Sequence, residues 1–261
     1  MEPSVIFYSV QVKAGAWARV FLNDLPLHEQ DAPGVDSHSS SINELLVHGE
    51  NTLTVEVLTA PPERGPGAVS VHFYTVIDWT TKPMTIAPVH GFSFPENAVE
   101  AMAPDRKVPY LHTSTFVLDR GGFVPAWIGA DIVDFDCGGT PELRAAVLEL
   151  HRCVEQLDID RFLELSELRL SEYERAHPGI PPARADTRRD ALRELFSYKP
   201  KIPPLEMDSL HFEPRAGGRV AYVRRAGGGY VLNAPTERDP RRRLKANLLF
   251  IRRQGTWNIW G

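Results

Sequence analysis

The chain has 261 residues, 43% of them apolar, 24% charged and 9% aromatic, and its 29 basic and 34 acidic side chains leave a net charge of −5. This composition fits a globular protein long enough for two domains and excludes whole-chain disorder, collagen and coiled coil. No apolar run approaches the roughly 20 residues of a membrane span, and MEPSVIFYSVQVKAG shows neither a basic leader nor a small-residue cleavage site, so the expected compartment is the cytoplasm.

Charge is unevenly spread. Residues 1–136 carry 7 Lys/Arg against 17 Asp/Glu, whereas residues 137–261 carry 22 against 17. Such asymmetry predicts two units with different surfaces. The shortage of Lys and Arg argues against nucleic acid as a ligand of the first half, where phosphates would need them. A basic protein partner suits it electrostatically.

The first half reads as strands. Val5–Val12 and Trp17–Leu22 are rich in β-branched and aromatic residues. In residues 51–58 Leu53, Val55 and Val57 share one face while Thr52, Thr54 and Glu56 share the other, the pattern of a half-buried strand. Residues 68–79 alternate in the same way, and Leu111–Leu118 is the best strand between 80 and 136. Turn chemistry separates these runs at Ala14-Gly15, Asn23-Asp24, residues 48–51 and the Pro/Gly-rich stretch 60–67. Ser39-Ser40-Ser41 reads as loop plus cap. Short strands with regular turns predict a β-sandwich.

The segments RVFLNDLPL and SINELLVHGENTLTVEVL resemble the galactose-binding-like jelly-roll domains. In that pattern Leu45 and Leu46 plug the core, Gly49 permits a tight turn, and Asn51 bonds its own backbone before the next strand. The resemblance covers some 40 residues and implies a fold. It transfers no ligand residues, because the motif concerns the core and its turn.

From Pro141 the period changes. Leu143, Val147, Leu150, Val154 and Leu157 form an amphipathic stripe, with Thr140 as N-cap and Pro141 in the first turn. A second helix is expected from the cap Asp160 to about His177, where Pro178-Gly179 ends it. A third starts at Asp186 or Thr187, with Ala191, Leu192, Leu195 and Phe196 as its apolar face. Strands return at residues 208–213, 219–225, 230–233, 244–252 and 256–260, and Arg215–Gly218 and Arg225–Gly228 read as hairpin loops. Helices followed by LLFIRRQGTWNIWG resemble the nuclear-transport-factor-like or SnoaL-like cone over residues 141–261. That resemblance implies a curved sheet with an internal cavity, although no clear strand lies between the helices.

Tests for chemistry exclude most catalytic patterns. Cys137 and Cys153 are expected to be free thiols. His151 lies beside the helix stripe and is better read as a structural histidine than as a general base. His211 and Asp208 would point to opposite faces of a strand. Asp131, Asp134 and Asp136 resemble a calcium loop, but the twelfth position from Asp134 is Ala145, where a bidentate Glu is required. Gly227-Gly228-Gly229 lacks the Lys-Ser/Thr of a phosphate loop. The run Arg238, Arg241, Arg242, Arg243 and Lys245 with Arg252 and Arg253, and with Tyr230, Phe250, Trp257 and Trp260 as stacking surfaces, reads better as a solvated hairpin than as an RNA site. No metal or cofactor is expected.

The sequence therefore predicts an α+β protein: an antiparallel β-sandwich over residues 1–136 and helices packed on a curved antiparallel sheet over 137–261. The expected function is protein binding without catalysis. One concrete form is a bacterial immunity-type protein neutralising a basic toxin such as a nuclease, with Asp31, Asp36, Glu44, Glu50 and Glu63 as exposed contact residues. The alternative is a SnoaL-like isomerase, hydrolase or ligand binder using a cavity in the second domain.

Overall fold

The structure, a computed structural model, describes residues 6–12, 16–29, 36–59, 68–78, 85–94, 109–119, 123–177, 187–226, 230–239 and 241–261. It is a mixed α+β fold whose paired strands are antiparallel throughout. Two compact units divide the chain: Met1–Val124 with Ala176–Gly179, and Pro125–Arg175 with Ile180–Gly261.

In the first unit, alternation decides which side each strand buries. Its strands are β1 (Ile6–Val12), β2 (Trp17–Leu22), β3 (Leu25–Glu29), β4 (Asp36–Ser41), β5 (Gly49–Thr59), β6 (Val69–Asp78), β7 (Thr85–Phe94) and β8 (Tyr110–Leu118). They form two four-stranded sheets, ordered β4-β1-β6-β7 and β3-β2-β5-β8. Val10, Val20, Leu53, Val55, Val57, Val69 and Val71 are wholly buried, and both sheets feed one core. Each such side chain contributes about 1.5–3 kcal/mol.

Local chemistry sets the turns. Asn23 and Asp24 both have positive φ, 53° and 66°, as a two-residue hairpin between β2 and β3 requires. At the entry to β5, Gly49 takes φ 91°, while Leu46 is fully buried and Leu45 half-buried against the core. The buried Asn51 closes this turn: Oδ1 accepts from Val47 N at 2.9 Å, and Nδ2 donates to the carbonyls of Val47 and Gly49.

Three strands, β3, β4 and β7, stand where the sequence shows weak or no alternation. The tri-serine is strand rather than loop plus cap. Ser39, Ser40 and Ser41 pair with Ser9, Tyr8 and Phe7 of β1, and backbone pairing at a sheet edge needs no apolar face. β7 carries Pro88 and Gly91 and has register shifts against β6, irregularities that an edge strand tolerates.

The second unit contains helices α1 (Pro141–Glu155), α2 (Ile159–Leu165), α3 (Glu167–Ala176) and α4 (Thr187–Ser197). Its strands are β9 (Leu210–Arg215), β10 (Val220–Arg225), β11 (Leu232–Pro235), β12 (Arg243–Ala246), β13 (Leu248–Arg253) and β14 (Thr256–Ile259). β14-β13-β10-β9 form one sheet and β11-β12 a separate ribbon. Leu143, Val147, Leu150 and Val154 of α1 share a core with Phe162, Phe196, Phe212, Val223 and Phe250. The Thr140 hydroxyl caps α1 by accepting from Leu143 N at 3.2 Å.

Two breaks interrupt elements expected to be continuous. The helix expected over 160–177 divides at the buried Ser166, and the cap of its first part is Asp158, whose carboxylate accepts from Arg161 N at 3.0 Å. The strand expected over 244–252 divides at Asn247. Its side chain accepts from Val231 N and donates to the Tyr222 hydroxyl. The hairpin at residues 215–218 forms as expected, whereas residues 227 and 228 of the turn at 225–228 lie outside the described residues.

Residues 125–136, read from sequence with the first half, belong with the second unit. Asp131 N donates to Arg252 O at 2.8 Å and Val133 N to Gly218 O at 2.9 Å. Gly218 has φ 82°, and a Cβ there would meet Val133 O at 3.1 Å, so this approach requires glycine.

Candidate functional site

Within the second unit, the helices and strands line a half-open cavity of about 320 Å3. Its floor is apolar. Leu150 of α1, Phe162 of α2 and Leu170 of α3 meet Leu232, Leu244, Leu248 and Ile259 from the strands, and all seven are buried. α4 lays Ala191, Leu192 and Leu195 along one side, with Ala191 exposed and both leucines half-buried. The apolar face expected for this helix therefore lines the cavity, while Phe196 alone turns fully into the core.

Polar lining is sparse and mostly cationic. Ser166 is buried, Arg169 and Lys245 are exposed, and Arg188 is half-exposed. The Arg188 guanidinium lies over the Tyr173 ring, 3.3 Å from its centroid, and Lys245 Nζ is 5.3 Å from the centre of Tyr230. Ring faces hold cations in place without neutralising them. Nearby arginines are spent differently: Arg189 pairs with Glu167 and Glu174, and Arg242 pairs with Glu194 and stacks on Tyr198. Such a lining offers apolar contact plus positive charge.

Other titratable groups have structural partners. His151 is buried and its Nε2 lies 2.8 Å from the Pro203 carbonyl, to which it donates. Asp208 is exposed against Arg144, and Asp136 accepts from Gly138 N. Asp131 accepts from Gly255 N, and no metal-binding cluster occurs among the described residues. Cys137 is exposed and Cys153 buried, both free. Burial, followed by the charges of Asp158 and Glu149, pushes the Cys153 thiol up, away from nucleophilic character. Phe250 and Trp260 are buried and so present no stacking surface for RNA, whereas Trp257 meets Phe135 edge-on.

In the first unit, β7 and β8 end their respective sheets and are joined through side chains. His90 Nε2 and Ser114 Oγ are 2.8 Å apart, His90 stacks on Phe116, and His112 packs at a tilt against Phe92. Burial, reinforced by His112, holds His90 below the usual histidine range and keeps it neutral near pH 7. This ladder closes the edge.

The acidic contact residues do not form one exposed set among the described residues. Asp31 and Glu63 lie outside the description, and Asp36 opens β4 with its side chain also outside it. Glu44 is not the exposed turn residue expected. Its side chain is 21% exposed, and Oε2 lies 3.8 Å from Nε2 of the buried His177. Glu50 is exposed, but on β5 opposite Val117 rather than in a turn.

Sequence reasoning missed Arg169 and Arg188 and read Lys245 only as part of a basic run. The helical spacing that sets Arg188 three, four and seven residues before Ala191, Leu192 and Leu195 was the available signal for Arg188. Comparison with protein-family models, curated proteins and solved structures gives no match.

Proposed function

We propose that this is a binding protein whose second unit holds a small, largely apolar ligand in the cavity between its helices and strands. The cavity itself carries the reading. A space of about 320 Å3 with a buried apolar floor and a few polar groups at its margin has the size and lining of a small-molecule site. The test is titration of the full chain with the neutral fluorescent probe N-phenyl-1-naphthylamine. Wild type should enhance its emission, and Ala191→Phe, which places a ring at the exposed side of the cavity, should abolish the enhancement without lowering the melting temperature. A wild-type chain that leaves the probe dark would sink the proposal.

A second reading concerns the first unit. On the outer face of β8, Leu111 and Val117 are 65% and 76% exposed. They stand directly across from Glu56 and Glu50 of β5. Exposed apolar residues interleaved with carboxylates suit a basic protein partner, of which a neutralised toxin is one form.

A further inference from the structure

We infer that the ligand of the second unit is an amphipathic anion: a small apolar chain or ring bearing one carboxylate-like group. This rests on the cavity being a ligand site and goes further by fixing the ligand's charge and size. Size follows from volume, since about 320 Å3 lies at the small end of the roughly 300–1,000 Å3 range of ligand pockets.

Charge follows from the lining. Arg169 from α3, Arg188 from α4 and Lys245 from β12 converge on one cavity from three separate elements. Among the described residues, neither Arg188 nor Lys245 meets a carboxylate; each meets a tyrosine ring. The acids of α3 and α4 are already engaged: Glu167 and Glu174 by Arg189, Asp190 by Arg193, Glu194 by Arg242, and Glu172 by the Ala126 N–H and the Trp260 indole. Positive charge is thus held against an apolar wall. There a carboxylate gains charge-assisted hydrogen bonds that an alcohol of equal length does not, and a cation is repelled. The apolar end lies against Leu150, Leu232 and Leu248, and the charged end faces Arg188 and Lys245.

Three ten-carbon probes separate the ideas: decanoate, 1-decanol and decyltrimethylammonium, each titrated calorimetrically into the full chain below its aggregation limit. Wild type should bind decanoate at least about tenfold tighter than decanol, and decyltrimethylammonium weakest. The double variant Arg188→Met/Lys245→Met should lose about tenfold in decanoate affinity while its decanol affinity, which also reports an intact fold, stays unchanged. Equal binding of decanoate and decanol by wild type, or a double variant that keeps the decanoate preference, would overturn the inference and leave the cavity reading standing. Failure of all three probes would overturn the cavity reading, and the inference with it.

Discussion

Glu172 is 1% exposed, and in the second unit its carboxylate receives hydrogen bonds from the Ala126 backbone N–H and the Trp260 indole. Burial nevertheless dominates these two donors and pushes its pKa above the ordinary glutamate value of about 4.3. Glu213 shows the opposite balance. Burial again pushes it up, but Arg215 and Arg224 outweigh that and hold it below the ordinary range. The two carboxylates therefore have opposite pH signatures. A raised folded-state pKa contributes stability that is present below about pH 4.3 and lost as pH rises through the folded value. A lowered one contributes stability that is present above about pH 4.3 and lost as pH falls through the folded value. In denaturant melts at a series of pH values, the advantage of wild type over Glu172→Gln should shrink as pH rises from 4 to 7, while its advantage over Glu213→Gln should grow. Parallel curves for either variant would show that its carboxylate does not titrate differently on folding.

What could be read from the sequence is what depends on neighbours in the chain. The Leu45, Leu46, Gly49 and Asn51 turn was legible because Asn51 bonds residues two and four positions away, and the Thr140 cap because its partner is Leu143. β4 was not legible, since its serines are strand only by pairing with β1, 26 to 34 residues earlier. The breaks at Ser166 and Asn247 were hidden for a similar reason: Asn247 serves Val231 and Tyr222 from a distance of 16 and 25 residues. The cavity cations come from three elements that only the folded chain assembles. Segment 125–136 has almost no periodicity, yet it donates backbone hydrogen bonds to Gly218, Arg252 and Glu172 of the second unit. Removing it leaves those acceptors without their donors and takes away the side chain of Trp127, which is buried at 7% accessibility. A chain of residues 125–261 should melt cooperatively, and one of residues 137–261 should melt lower by several degrees or lack a transition, since losses of this kind cost about 1–3 kcal/mol per buried group. Identical melting curves for the two would show that the segment contributes nothing to the second unit.

Across the whole molecule, the unit boundary changes the electrostatic picture. Cut at residue 136, the halves differ by fifteen charges, from −10 to +5. Divided as the structure divides them, the first unit holds 7 basic and 14 acidic side chains and the second 22 and 20, because Asp131, Asp134 and Asp136 move across. The first unit stays acidic, at −7, so a basic protein partner retains an electrostatic basis, weaker than the sequence halves suggested. The place to look also moves, from polar turns to the β5–β8 face where Glu50 and Glu56 adjoin Val117 and Leu111. Charges at the margin of an interface steer encounter, whereas buried apolar contacts hold the complex. For a basic protein captured by the full chain from its host, Glu50→Lys should slow association severalfold at about 0.05 M salt. That difference should vanish near 0.5 M as the Debye length falls below about 10 Å. Val117→Ser should instead speed dissociation with little effect on the on-rate, and both surface changes should leave stability within about 0.5 kcal/mol. A captured protein whose on-rate ignores salt and Glu50→Lys, and whose off-rate ignores Val117→Ser, would show that this face is not where it docks.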